Sequence, residues 1–71
     1  MRTYNLSGQE GNAYSLIGLA RGWMLQFEWD TETIESVLDD MKSSDYNHLL
    51  EVFDKTFDDI VEYEFINDPR I

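Results

Sequence analysis

Apolar residues recur at steps of three and four over three separate stretches of this chain, and at steps of two near its two ends. This patterning restricts the fold strongly, because the two periods mark the buried face of a helix and of a strand. At the N-terminal end, Tyr4 and Leu6 alternate with Thr3 and Asn5, which predicts a short strand over 1–6. Residues 7–12 hold two glycines and read as a turn. Asn12 is a suitable N-cap for a helix running to about Phe27, with Ala13, Leu16, Ile17, Ala20, Met24 and Phe27 on one stripe. Gly18 and Gly22 lie one turn apart within it, at a cost of about 1 kcal/mol each relative to alanine. Close approach of another element is the expected reason.

Asp30 or Thr31 caps a second predicted helix, to about Lys42, with Ile34, Val37, Leu38 and Met41 inward. Ser43-Ser44-Asp45 breaks it and caps a third, about Tyr46 to Phe57, whose inner face is Tyr46, Leu49, Leu50, Phe53 and Phe57. From Ile60 to Ile66 the period returns to two, with Val61, Tyr63 and Phe65 on one face and Glu62 and Glu64 on the other. Pro69 lies just beyond, where a ladder cannot continue. The expected fold class is α+β, strand–three helices–strand (βαααβ), in one small domain over residues 1–71 without repeats or linkers.

A domain of this size rarely draws more than about 3–5 kcal/mol from its core. Disulfides are excluded because there is no cysteine, and one histidine leaves no set of ligands for a structural zinc. Two strands alone are marginal in water and leave their edges unpaired. Both points predict a homodimer. Its seam is expected either at a strand edge, around Tyr63 and Phe65, or between helices across Gly18 and Gly22. The 42% hydrophobic and 14% aromatic content is too high for a disordered acidic tail.

Fifteen acids against five bases give a net charge of −10. Direct contact with nucleic acid or anionic membrane is disfavoured by repulsion. No apolar run reaches the roughly 20 residues of a membrane span, and the N-terminal residues lack the apolar core of a signal peptide. A cytoplasmic location is expected. The acidity is uneven: residues 1–30 carry a balance of −1 and residues 31–71 one of −9. Glu32, Glu35 and Asp39 line one outer face of the second helix; Glu51, Asp54 and Asp58 line one of the third. Glu51 has a compensating base one turn on, Lys55, but most have none. Like charges at that spacing cost about 0.2–0.5 kcal/mol per pair. One explanation is a solvated face that maintains solubility. The other is a docking surface for a basic protein, with carboxylate rows standing in for a phosphate backbone or docking without such mimicry.

Catalytic chemistry has little to draw on. His48 is the sole histidine and is read as solvated or capping. Asp39-Asp40 and Asp58-Asp59 match no calcium loop. Gly8-Gln9-Glu10-Gly11-Asn12 resembles a phosphate-binding turn only faintly, since Glu10 would repel an anion. Trp23 and Trp29 are read as core residues by default, with a partly exposed tryptophan as a natural interface anchor. No catalytic residue, cofactor or metal is expected.

Gly8-Gln9-Glu10-Gly11-Asn12-Ala13 opening the first helix, and Asp45-Tyr46-Asn47-His48-Leu49-Leu50 with Val52-Phe53-Asp54 in the third, resemble a group of short acidic proteins carried by tailed phages. The resemblance spans about residues 6–61 and departs at Ser44, where that group usually has glycine. In size and charge the chain is also similar to phage-encoded inhibitors of BREX defence. The resemblance implies a phage origin, hence the host cytoplasm, but by itself no activity. Together with the small size and the acidity it leads to the expectation of a protein that binds and inhibits a nucleic-acid-associated bacterial defence protein of BREX, restriction or CRISPR type. A non-enzymatic accessory, structural or regulatory, is the alternative.

Overall fold

The computed structural model describes all 71 residues and has the expected element order. Strand β1 is Arg2–Asn5, helix α1 Ala13–Gln26, helix α2 Thr31–Met41, helix α3 Tyr46–Phe57 and strand β2 Tyr63–Ile66. One 3-10 turn, Gln9–Gly11, precedes α1.

Each helix starts where a short polar side chain can accept an otherwise unpaired backbone N–H. Asn12 accepts from the Ser15 N–H at 2.8 Å, Asp30 from Thr33 at 2.7 Å and Asp45 from His48 at 2.9 Å. The end of α1 is less orthodox. The Trp29 N–H returns to the Met24 carbonyl at 3.1 Å while Glu28 adopts φ 62°. That is a Schellman-type stop with glutamate where glycine usually sits. It displaces Phe27 from its predicted place on the inner stripe: Phe27 is the C-cap residue and is exposed.

The core is twelve buried side chains, all hydrophobic. Leu16, Ala20, Trp23 and Met24 come from α1, Ile34, Leu38 and Met41 from α2, and Leu49, Leu50, Val52, Phe53 and Phe57 from α3. Trp23 is its aromatic hub. Its ring meets Phe57 edge-on at 5.1 Å and lies 5.4 Å from Phe53 and 5.7 Å from Tyr63, between ring centroids. The Arg2 guanidinium covers it at 5.6 Å.

The strands from the two ends of the chain pair in parallel, with Arg2 opposite Tyr63 and Asn5 opposite Ile66. Parallel strands need a long crossover, and the three helices supply it. Tyr63 and Phe65 turn inward onto Phe53, at 5.3 and 5.5 Å. Their side chains are therefore part of the monomer's packing. The alternating run begins at Ile60, but pairing begins only at Tyr63, because Ile60 and Val61 still bond back to the Phe57 carbonyl. Asn67, at φ 59°, ends β2 and ties the strand ends together by donating to Asn5 Oδ1 at 2.9 Å.

The glycines divide differently from the expectation. A Cβ built on Gly18 or Gly22 meets nothing within 4 Å, so no element of the chain approaches them. Gly11 is the position that needs glycine: a Cβ there would lie well under 3.0 Å from the Leu6 main chain.

Candidate functional surface

The outer row of α2 consists of Glu32, Glu35 and Asp39, all exposed. The protein's ion pairs are His48–Asp40, Arg70–Asp54 and Arg70–Asp68, so none of these three carboxylates is neutralised within the chain. The row lies roughly opposite the buried stripe of Ile34, Leu38 and Met41, as a 100° step per residue requires.

The row on α3 is not uniform. Glu51 and Asp58 are exposed and unpaired, and the expected Glu51–Lys55 ion pair does not form. Asp54 is committed inside the fold. It accepts from the Tyr63 hydroxyl at 2.5 Å and from Arg70 Nη2 at 2.6 Å. The Arg70 guanidinium also binds Asp68, through Nε at 2.9 Å and Nη2 at 2.5 Å, so one cation joins two carboxylates. The pairing has the expected electrostatic signatures. Hydrogen bonding from Arg70 holds the Asp68 carboxyl below its usual range. Burial, then the bond to Asp54, pushes the Tyr63 phenol up. Only Asp68 and Asp54 hold Arg70 in ion pairs, so the one guanidinium offsets one of their two charges and fixes both carboxylates in place.

The structure does not gather the two predicted rows into one groove. Glu51, Asp54 and Asp58 border a groove shared with β2 and the C-terminal turn; Glu32, Glu35 and Asp39 border none of the surface depressions. Glu62, immediately before β2, and Glu64, on its exposed face, add two carboxylates that the alternation over Ile60 to Ile66 marked as outward. Helix α1, by contrast, carries Arg21 and no acid. Gly18 and Gly22 are exposed on it with Tyr14, Arg21 and Leu25.

His48 pairs with Asp40 across the turn between α2 and α3, Nε2 to Oδ1 at 2.9 Å. Ser43 Oγ is 3.3 Å from the same nitrogen. One ring nitrogen cannot donate to Asp40 and take a proton from Ser43 at once, so the three side chains do not form a nucleophile–base–orienter relay. The carboxylate raises the His48 pKa, chiefly through the hydrogen bond. The contact ties the end of α2 to the first turn of α3. No group of three or more His, Cys, Asp and Glu side chains is placed to hold a metal ion.

The two segments that carry the resemblance meet in space. The Tyr46 hydroxyl donates to the Gly11 carbonyl, while Asn12 and Asp45 cap the helices that follow. Their residues are scaffold: a glycine forced by the Leu6 backbone, two caps and a phenol that joins them.

No family model matches the chain, and no significant match is found among curated proteins or solved structures.

Proposed function

We propose that the protein is a phage-encoded inhibitor that binds a basic, nucleic-acid-associated bacterial defence protein through the carboxylates of its C-terminal half. One observation carries this reading: the unpaired acids are concentrated on exposed faces of α2, α3 and β2, while α1 has none. A surface that served only solubility has no need of such segregation. The segregation supports a partner of opposite charge, recruited and oriented by long-range attraction. The resemblance to short tailed-phage proteins supports the phage origin, and the similarity in size and charge to phage-encoded inhibitors of BREX defence supports the defence target. The spread of carboxylates over separate faces favours docking on a basic surface over imitation of a continuous phosphate backbone.

The test is affinity capture from host cells with the wild-type protein and with a variant carrying Glu32→Lys, Glu35→Lys, Asp39→Lys, Glu51→Lys and Asp58→Lys. Asp54 is left intact because it holds Arg70 and Tyr63. The variant should retain its circular dichroism spectrum and lose the partner. Infection with a phage lacking the gene should plaque poorly on defence-positive hosts and normally on defence-negative ones. Capture by the variant equal to wild type defeats the docking reading. Equal plaquing on both hosts defeats the defence reading.

A further inference from the structure

One edge of the sheet offers main-chain hydrogen bonds that no other part of the chain takes up. Arg2 N–H donates to the Glu62 carbonyl at 3.4 Å and Leu6 N–H to the Ile66 carbonyl at 2.8 Å. In a parallel pair the residues that bond one neighbour alternate with those that face the opposite side. Glu62, Glu64 and Ile66 thus face β1, and Tyr63 and Phe65 turn their N–H and C=O groups outward, with no main-chain partner there. The far edge of β1 is not equivalent. Its Asn5 carbonyl already accepts from Gly8 N–H at 3.2 Å, where the turn folds over it.

The open edge lies in an acidic setting. It borders the groove that Glu51 and Asp58 line, and Glu62 and Glu64 stand on its exposed face. The same groove already receives one guanidinium, that of Arg70, leaving Glu51 and Asp58 without a cation. We propose that the outer edge of β2 takes up an extended segment of the partner protein as a third strand, with lysine or arginine at alternate positions beside Glu62 and Glu64. Main-chain bonds to Tyr63 and Phe65 supply the register, and cross-strand pairs of opposite charge supply the selectivity. A second copy is disfavoured at this edge, because self-pairing would bring Glu62 and Glu64 of both copies together.

This assignment deepens the proposed function and rests on the acidic half being a docking surface for a basic protein. The probe is a synthetic eight-residue peptide of alternating arginine and valine, titrated into the full chain. Two isomers of the peptide carry backbone N-methyl groups, one on every arginine and the other on every valine. Charge and composition are the same in both. With the arginines beside Glu62 and Glu64, the arginine amides face β2 in a parallel segment and the valine amides in an antiparallel one, so each strand direction is sensitive to one isomer alone. Backbone NMR should show the parent peptide shifting the Tyr63 and Phe65 amides and slowing their exchange. One isomer should bind about tenfold more weakly, as expected for the loss of one or two main-chain bonds, and the other like the parent. Equal binding by all three peptides overturns strand addition, and a charge-reversed protein that still captures its partner overturns the underlying docking surface instead. Absence of any shift at Tyr63 and Phe65 overturns the proposal, as does the same shift on concentrating the protein alone, which would place a second copy at the edge.

Discussion

Gly18 and Gly22 lie in open space, whereas Gly11 is pressed against the Leu6 backbone, so alanine should have opposite effects at the two kinds of site. In the middle of α1, glycine loses more backbone entropy on folding than alanine and costs about 0.5–1 kcal/mol. No neighbour would be displaced by the added methyl group. The double variant Gly18→Ala, Gly22→Ala should therefore gain about 1–2 kcal/mol. For a domain of this size that raises the melting temperature by roughly 5–15 °C. At Gly11 the methyl group would overlap main-chain atoms, which cannot rotate away as a side chain can. Overpacking typically costs about 1–3 kcal/mol, a large part of what a core this small supplies. Gly11→Ala should unfold at much lower temperature. The assay is thermal unfolding by circular dichroism at protein concentrations a hundredfold apart. The reasoning fails if the double variant is less stable than wild type. If wild-type stability also rises with concentration, the face of α1 carrying Gly18 and Gly22 is covered by a second copy.

Three other perturbations test the contacts that join the elements. Tyr46→Phe removes the bond to the Gly11 carbonyl and should cost about 1 kcal/mol in urea unfolding, with the fold unchanged. Arg70→Ala should cost about 1–2 kcal/mol and let the Asp68 carboxyl return toward its ordinary value of 3.8, followed by carboxyl NMR. Because Asp68 titrates below that value when folded, its contribution is present above about pH 4 and disappears as pH falls through the folded pKa. Arg70→Ala should therefore flatten that acid limb. His48 has the opposite sign. Its folded pKa lies above 6.5, so the bond to Asp40 stabilises fully below about pH 6 and is lost as pH rises through that pKa. Asp40→Asn should destabilise at about pH 5.5 and leave stability unchanged at about pH 9, and its His48 ring signals should titrate at lower pH than in wild type.

The helices and their starts are determined locally, and so were legible in the amino-acid order. Asn12, Asp30 and Asp45 each bond an N–H three residues on, and the apolar steps of three and four place Leu16, Leu38 and Phe53 inward without reference to distant residues. The acidic rows were legible for the same reason, since a 100° step alone puts Glu32, Glu35 and Asp39 on one face. What those rows can do was decided elsewhere. Asp54 reads from the sequence like Glu51 and Asp58, yet Arg70, sixteen residues away, and Tyr63, nine away, bond its carboxylate within the fold. Glycine at 11, 18 and 22 is one letter with two meanings, because only the folded chain brings Leu6 against the first and leaves the others bare. Glu28 ends α1 in a backbone conformation usually left to glycine, where no local signal marked it. The parallel pairing of β1 and β2 is likewise tertiary. A period of two marks which face of a strand is buried, but its direction depends on how the three helices between the strands pack. That direction and register turn Tyr63 and Phe65 inward with their side chains and outward with their backbone.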